Sequence, residues 1–292
     1  MSDWPAIAAQ IALHSGEPFD PRPPRSQGGG CINRAVVLDD GRRRFFVKLN
    51  DAALLDMFEA EADGLSELVS AQAIRVPEPL CTGVAQGESF IVMEHLSLGR
   101  PAADSQSAAG EGLARLHARK TQAFGWHRDN TIGSTPQHNG WSDDWIAFWR
   151  DKRLGFQLKL AARNGYNGRL QRLGERLLEG FPVLLDHDPP PSLLHGDLWG
   201  GNMSYDDHGE PVIFDPAVYY GDREADLAMT ELFGGFGGEF YTAYQNAWPL
   251  DAGYATRRTL YNLYHVLNHL NLFGGGYGAQ AVNMMERLLA EI

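Results

Sequence analysis

Three side chains in the second half of the chain have the types and spacing that phosphoryl transfer requires. Asp197 and Asn202 stand at the spacing H-x-D-x-x-x-x-N within residues 195–202. An Asp on such a loop can accept the proton of an attacking hydroxyl, and an Asn can reach a magnesium ion beside the phosphates. Asp215 follows the apolar run 211–214 and could complete the metal site. The pattern predicts Asp197 as catalytic base and Asn202 and Asp215 as Mg²⁺ ligands.

The neighbouring elements decide between this interpretation and a structural one. A single Asp in a loop usually caps a helix or shapes a turn. Here Leu193-Leu194 predicts a short buried strand before the loop, and residues 211–214 predict a second strand that ends at an acid. The combination favours an ATP-dependent phosphotransferase over a chance H-x-D.

Composition suits a globular protein and argues against two classes of partner. The 292 residues are 43% hydrophobic and 21% charged, which is enough for two lobes with their own cores. The formal net charge is −12 and the sequence pI is about 5.2, so the average field repels nucleic acid and anionic membranes. We therefore expect neither as a partner, while a cationic substrate is compatible.

The N-terminus and the cysteines indicate a cytoplasmic protein. Residues 1–8 lack a positively charged start followed by a long apolar core, and no stretch approaches the ~18 apolar residues of a membrane span. Cys31 and Cys81 are too few for a disulfide framework, and ATP chemistry also favours the reducing cytoplasm.

A β-hairpin and a Gly-rich turn are predicted near the N-terminus, after a helix over residues 4–13. Residues 34–38 and 44–49 predict its strands, joined by a tight turn at 39–41. The turn over 26–33 contains Gly28, Gly29 and Gly30, whose backbone N–H groups could approach phosphates. Three glycines alone would equally fit a plain flexible loop.

Lys48 gives that turn a possible role, because it resembles the strand lysine that pairs with ATP phosphates in kinases. Its acid partner should lie on the next helix, predicted over residues 56–68. Glu61 sits beside the buried face of that helix, with Leu65 and Leu68 behind it. Glu59 is the alternative, and most such glutamates face water.

Residues 89–94 predict a buried strand that leads into a connector, followed by a linker over 98–107 and a helix over 108–118. In a bilobal kinase this connector is the hinge whose backbone contacts adenine. Met93, Glu94 and Leu96 are therefore predicted to line the base.

In their order along nearly the whole chain, these features resemble the fructosamine kinase family, which belongs with aminoglycoside phosphotransferases and choline kinases. The resemblance implies an α+β, bilobal, protein-kinase-like fold. Residues 1–94 would form an N-lobe with a small antiparallel sheet plus a helix, and residues 95–292 a larger, mainly helical C-lobe. The more specific motifs are Phe124-Gly125-Trp126, Asn139-Gly140-Trp141, Asp144-Trp145, Phe148, Trp199, Tyr264-His265 and residues 268–273.

The chain departs from protein kinases around the metal site. Asp215-Pro216-Ala217 replaces D-F-G, and a helix over residues 224–233 follows too soon for a long activation loop. Asn33 stands where G-x-G-x-x-G would place its third glycine. Asp226 matches a family position that supports the catalytic loop through backbone hydrogen bonds.

The activity implied by the resemblance is transfer of the ATP γ-phosphoryl group, with Mg²⁺, to the 3-hydroxyl of a ketosamine on a free amine or a protein lysine. The phosphorylated adduct would then eliminate and release the amine, so the biological result would be deglycation. Another small-molecule kinase, of the aminoglycoside or choline type, would share every core residue. A non-catalytic nucleotide-binding scaffold is the remaining alternative.

Five further side chains are candidates for substrate or redox roles. Trp199, Trp141, Trp145 and His269 could form a substrate wall, although core packing is an equal alternative for Trp141 and Trp145. Family members can carry a cysteine like Cys31 in the Gly-rich loop that forms intermolecular disulfides. The resemblance thus implies a monomer or a redox-dependent homodimer, and the alternative is a small buried thiol.

Overall fold

An antiparallel sheet forms the first lobe. The structure is a computed structural model that describes residues 2–26 and 33–292. Its strands are β1 (Arg25–Ser26), β2 (Arg34–Asp39), β3 (Arg44–Asp51), β4 (Pro79–Ala85) and β5 (Glu88–Glu94). Over the described residues the spatial order is β1-β2-β3-β5-β4, and all neighbours are antiparallel.

Side-chain alternation along β3 divides this lobe into a core face and a cleft face. Val47 and Leu49 point into a buried cluster with Ile7 and Ile11 of helix α1 (Trp4–Ser15). Because successive side chains of a strand point to opposite faces, Lys48 faces the other way and lines the cleft. The strand thus holds the charged side chain of Lys48 on the cleft face while the residues on either side of it fill the core.

Helix α2 (Leu55–Ser70) packs against the cleft side of the sheet. Its buried residues Phe58, Leu65 and Leu68 belong to the large core that also contains Ile91 and Met93 of β5. Their separations of seven and three residues place them on one helix face. Glu61 lies on the turn between Phe58 and Leu65 and is thereby held near the sheet.

The second lobe is mainly helical and packs around a buried central helix, α9. In chain order, its helices are α3 (Ser105–His117), α4 (Trp145–Trp149), α5 (Gly155–Arg163), α6 (Arg169–Gly180), α7 (Glu224–Leu232), α8 (Gly238–Ala247), α9 (Tyr254–Phe273) and α10 (Tyr277–Ala290). A π-helical turn, Arg150–Leu154, joins α4 to α5. Leu260, Leu263 and Leu267 of α9 are fully buried in the large core.

Short strand pairs carry the loops of this lobe. They are β6 (Asn130–Ile132) with β7 (Thr135–Gln137), β8 (Ser192–Leu194) with β11 (Tyr219–Gly221), and β9 (Met203–Tyr205) with β10 (Pro211–Ile213). The predicted buried strands around the catalytic loop correspond to β8 and β10. The bilobal, protein-kinase-like fold predicted from the sequence is confirmed.

Helix α3 begins three residues before its predicted start at residue 108. Ser105 looks like part of a polar linker, yet it is buried and its Oγ donates to the carbonyl of Gly209. The predicted division between residues 94 and 95 stays a prediction, since the large core contains side chains from both sides of it. Among the described helices, none is long and apolar enough to cross a membrane.

Candidate active site

The loop 195–202 between β8 and β9 is tied to the start of α7. The backbone N–H groups of His195 and Gly196 donate to the Asp226 carboxylate at 2.7 and 2.8 Å. Burial disfavours the charge, but the hydrogen bond from His117 and the Gly196 amide lower the pKa of Asp226. Asp226 also lies in the first turn of α7, where a helix favours negative charge. The supporting role predicted for Asp226 is thus confirmed.

Asp197 lies on the floor of the cleft beside Asn202. The Asn202 amide donates to the Asp197 carbonyl at 2.9 Å and to its carboxylate at 3.3 Å. Burial, and then the negative charge of Asp215, raise the pKa of Asp197 to about 7, against the opposing hydrogen bond from Asn202. A carboxyl that titrates near neutral pH can accept a proton and later release it.

Lys48 joins the two lobes through two carboxylates. Its Nζ donates to Glu61 Oε1 at 2.5 Å and to Asp215 Oδ1 at 2.6 Å. Burial disfavours the ammonium charge, but Glu61 and Asp215 outweigh this and raise the pKa of Lys48. Of the two acids considered from the sequence, Glu61 is thus the one that contacts Lys48. Glu59, on the same helix, lies partly exposed.

The segment that carries Asp215 packs directly on the catalytic loop. The Ala217 N–H donates to the His195 carbonyl at 2.8 Å. A Cβ added at Gly196, where φ is 83°, would lie 2.0 Å from the Ala217 oxygen, so only glycine fits there. Asp215 itself has φ 57°, a left-handed conformation that Asp tolerates better than most residues. Backbone strain of this kind is concentrated at functional sites.

Asn202 and Asp215 fit an oxygen-liganded cation. The Asn202 amide nitrogen is used for donation to Asp197, which leaves its amide oxygen as the atom for a cation. Asp215 lines the cleft with 46% of its side chain exposed, and it accepts from Lys48 through Oδ1. One carboxylate and one amide oxygen are ligands that Mg²⁺ accepts when substrate phosphates and water complete its shell.

A cleft of about 770 Å³ collects these side chains between the two lobes. Its lining includes the following predicted site residues: Lys48, Glu61, Met93, Glu94, Leu96, Asp197, Trp199, Asn202, Asp215 and His269. Their sequence positions span both lobes. The volume is in the range of a cofactor or small-molecule site. The predicted nucleotide contacts Gly28, Gly29 and Gly30, and Cys31, lie outside the described residues.

The three candidate tryptophans occupy different environments. Trp199 is 38% exposed at the cleft. Trp145 is 5% exposed, donates to the Tyr261 hydroxyl at 3.0 Å, and lies in the large core. Its position corrects the expectation that it forms a substrate wall, because a ring enclosed by the core cannot reach a ligand in the cleft. Trp141 is 50% exposed and packs near Tyr220, outside the residues that line the cleft.

An aromatic wall beside Asp197 extends further than the sequence indicated. Phe233 contacts Trp199 at 6.0 Å and His269 at 4.8 Å between ring centroids. Phe273, which is 58% exposed, continues the wall at 5.6 Å from His269. Neither was selected from the sequence, because Phe233 ends the helix predicted over residues 224–233 and Phe273 ends the family motif 268–273. Their exposure beside a cleft is the signal that distinguishes them from core residues.

Comparison with known proteins assigns this arrangement to a family. The family model described as fructosamine kinase matches residues 3–291. The chain belongs to the fructosamine kinase family. A protein assigned as a ketoamine kinase in Synechocystis sp. is 50% identical over 98% of this chain and 97% of its own length. A chloroplastic protein-ribulosamine 3-kinase of Arabidopsis thaliana is 46% identical over 90% of this chain and 82% of its own length.

Solved structures agree with the family and with the fold. A protein assigned as a fructosamine-3-kinase from Haemophilus somnus 129PT has a TM-score of 0.90 at 30% identity, covering 98% of this chain and 97% of that one. An aminoglycoside phosphotransferase has a TM-score of 0.64 at 16% identity, covering 97% and 98%. The second likeness shows the protein-kinase-like fold alone.

The motifs that distinguish the fructosamine kinase resemblance from the general kinase core meet one another in space. Phe124 and Ser142 exchange backbone hydrogen bonds of 2.8 and 2.9 Å, and the Trp126 N–H donates to the Asn139 carbonyl at 2.7 Å. Gly125 exchanges two further bonds of 2.8 Å with Tyr220 of β11. These motifs therefore support the strand that follows Asp215.

Proposed function

We propose that this protein transfers the γ-phosphoryl group of ATP to the 3-hydroxyl of a ketosamine. The single observation that carries the proposal is the juxtaposition of Asp197, with its raised pKa, and the Lys48–Asp215 pair in one cleft. Membership of the fructosamine kinase family supports the acceptor class, and relatives bear the names ketoamine kinase and protein-ribulosamine 3-kinase.

Each side chain has a role in this mechanism. Asp197 accepts the proton of the sugar hydroxyl while Lys48, oriented by Glu61, neutralises phosphate charge. Asn202 and Asp215 would hold Mg²⁺, which supplies charge neutralisation on the phosphates when it is bound. Most of the rate comes from positioning and electrostatic stabilisation, because the phosphoryl group needs little covalent help from the protein.

The product explains why phosphorylation would remove the adduct. A phosphate on the third carbon is a better leaving group than hydroxide and stands next to the carbonyl-bearing carbon. Loss of a proton from the first carbon and of phosphate from the third leaves an imine, and water then hydrolyses its C=N bond to release the amine and a deoxydicarbonyl sugar, so the outcome is deglycation. We propose the reducing cytoplasm as the location of this ATP-dependent repair.

The acceptor is tested by ATP consumption in the presence of Mg²⁺ with ribulose-lysine and fructose-lysine, and with an aminoglycoside and choline as controls. We expect turnover of a ketosamine alone, and a fall of about 10²–10⁴-fold in Asp197→Asn, which keeps the shape of the side chain but removes its basicity. Turnover of the aminoglycoside or choline instead would move the function to another acceptor. Equal turnover by Asp197→Asn would reject this base.

The oligomeric state and the role of Cys31 belong to the same proposal. A disulfide between the Cys31 residues of two copies would cross-link the Gly-rich loops and lower activity. Dimer content and turnover with and without reductant would then differ in the parent chain and agree in Cys31→Ser. Equal values in both redox states of the parent would reject the switch and favour a simple monomer.

A further inference from the structure

A buried amide chain connects residues 128–139, here named the clamp hairpin, to the segment after Asp215. The Asn130 amide donates to the Val218 carbonyl at 2.8 Å, and the Gln137 amide donates to the Ala217 carbonyl at 3.0 Å. Asn130 is 9% exposed and Gln137 is 1% exposed. Two buried side chains therefore hold consecutive backbone carbonyls within three residues of Asp215.

The direction of every amide in this chain is fixed by its ends. Arg153 can only donate, and it does so to Asn139 Oδ1 at 2.8 Å. Asn139 therefore presents its nitrogen to Asn130 Oδ1, also at 2.8 Å, and Asn130 is left to donate to a carbonyl. The Tyr264 hydroxyl donates to Gln137 Oε1 at 2.8 Å and orients that amide in the same sense. If one of these amides were reversed, N–H groups would face N–H groups and oxygens would face oxygens at its two hydrogen bonds, and its neighbours would have to reverse as well.

Arg153 anchors the chain as a buried cation. It is 0% exposed, and its guanidinium carbon lies 4.1 Å from the centre of the Tyr219 ring and 4.6 Å from that of Phe148. Among residues 2–26 and 33–292, no carboxylate forms an ion pair with it. Aromatic faces and amide oxygens thus solvate the charge, which makes the surrounding hydrogen bonds costly to break.

The other end of the clamp hairpin holds helix α2. Arg128 forms ion pairs of 2.6 Å with both Asp56 and Asp63, and its carbonyl accepts from the Asn139 amide at 3.2 Å. A Cβ added at Gly64 of α2 would lie 3.3 Å from Val218 Cγ2, so the helix and the segment after Asp215 are already in close contact. The helix that carries Glu61 is therefore fastened to the same hairpin.

We propose that the clamp hairpin is a positioning device for both acids that contact Lys48. Through Asn130 and Gln137 it fixes the backbone after Asp215, and through Arg128 it fixes the helix that carries Glu61. Arg128 and Gln137 are not among the residues that line the cleft, so they act through the acids that they hold, whereas Asn130 also reaches the cleft. They hold the phosphate-binding side chains in one arrangement before any ligand arrives, which reduces the ordering cost of binding. The inference rests on the proposed nucleotide site and does not depend on the identity of the acceptor.

The decisive variant is Gln137→Met, which has a side chain of similar length and removes the donor to the Ala217 carbonyl and to Asn130 Oδ1, together with the acceptor for Tyr264. We expect Mg²⁺-dependent ADP affinity, measured by titration calorimetry, to fall about tenfold, as for other residues that orient metal ligands. ADP affinity without Mg²⁺, which depends on Lys48 and not on the metal ligands, should fall less, and amide hydrogen exchange at Asp215, Ala217 and Val218 should accelerate. Asn130→Asp, which points a carboxylate at the Val218 carbonyl, should give the larger effect. Ser134→Asp adds the same charge at an exposed turn of the hairpin and should match the parent.

Three results would overturn the proposal. The first is a folded Gln137→Met protein with parental Mg²⁺-dependent affinity and parental exchange. The second is an equal loss of affinity with and without Mg²⁺ together with a lower melting temperature, because that indicates only a structural role. The third concerns Tyr264→Phe, which removes only the hydroxyl that orients Gln137 and serves if Gln137→Met does not fold. Parental Mg²⁺-dependent ADP affinity and parental hydrogen exchange in Tyr264→Phe would overturn the proposal. Absence of ADP binding in the parent chain would instead reject the proposed function.

Discussion

At the scale of single residues, Asp197 experiences two opposed requirements. Burial and the nearby Asp215 charge favour its protonated form, and they raise its pKa to about 7. A general base must be ionised before it can accept the hydroxyl proton. The same environment that makes Asp197 a stronger base thus limits the pH range in which it is available.

We expect kcat/KM for the ketosamine to decrease below about pH 7, by about tenfold per pH unit once Asp197 is mostly protonated. The sign follows from the raised pKa, since the inactive protonated form dominates below it. Rates measured across neutral and mildly acidic pH, with melting curves at each pH to exclude unfolding, check this. A rate that stays constant through that range would contradict the raised pKa or the assigned base.

The spacing of residues along the chain was sufficient to predict the charged residues of the candidate site. Lys48 and Asp197 could be selected because their motifs reflect chemistry within a short loop or strand. Whether an aromatic ring is buried depends on distant partners, and Trp145 is buried beside Tyr261, which lies 116 residues further along the chain. The amide chain from Arg153 to Val218 joins residues far apart in sequence and has no local signal.

At the scale of elements, helix α3 packs on helix α8 so closely that no side chain fits at Gly110. A Cβ added at Gly110 of α3 would lie 2.2 Å from the carbonyl oxygen of Phe240 in α8. Real Cβ contacts are never that short, so the two helices would have to separate. Glycine is used here for close approach and not for a special backbone angle.

We expect Gly110→Ala to lower the free energy of unfolding by about 1–3 kcal/mol, because the added methyl group overpacks the helix contact. The matched control is Gly238→Ala at the start of α8, where an added Cβ meets nothing within 4 Å. There, alanine should be neutral or stabilising by up to about 1 kcal/mol. Urea unfolding of both variants measures the difference. Equal free energies of unfolding for Gly110→Ala and Gly238→Ala would show that the helices adjust to the added methyl group without loss of stability.

Most of the predicted elements exist, with boundaries that differ by a few residues. Strands with alternating burial and helices with an apolar face could be predicted because each pattern repeats several times within one element. The strands β6 and β7 are only three residues each, too short to show a period. The π-helical turn Arg150–Leu154 keeps helical spacing in sequence and therefore could not be distinguished from α-helix.

At the scale of the whole molecule, several histidines are buried in their neutral form. Burial lowers the pKa values of His117, His195 and His265, and that of His265 falls from 6.5 to about 3. Below pH 6.5 the unfolded chain therefore binds more protons at these histidines than the folded chain does. Burial also disfavours charged His187, but Asp222 outweighs it and raises that pKa, so His187 acts in the opposite sense, as does Asp197 with its raised pKa.

We expect the contribution of His265 to stability to be greatest above pH 6.5 and to be lost as the pH falls from there toward 3, the interval between its unfolded and folded pKa values. The contribution of this residue is at most about 1.4 kcal/mol per pH unit. In His265→Gln the slope of unfolding free energy against pH, from urea titrations, should decrease. His14→Gln, at an exposed site, should retain the parental slope, and identical slopes in all three proteins would contradict the assignment.

The long-range bonds of the site also set the order in which it can form during protein synthesis. Lys48 and Asp215 are 167 positions apart, and Gln137 and Tyr264 are 127 apart. A ribosome adds about 5–20 residues per second, and the N-terminal lobe emerges first. That lobe can therefore form its sheet early. The amide chain next to the Asp215 segment can be completed only after α9, which carries Tyr264, has been synthesised. A nascent chain consequently lacks the hydrogen bond that orients Gln137, and through it the contact with Ala217, until Tyr264 has left the ribosome.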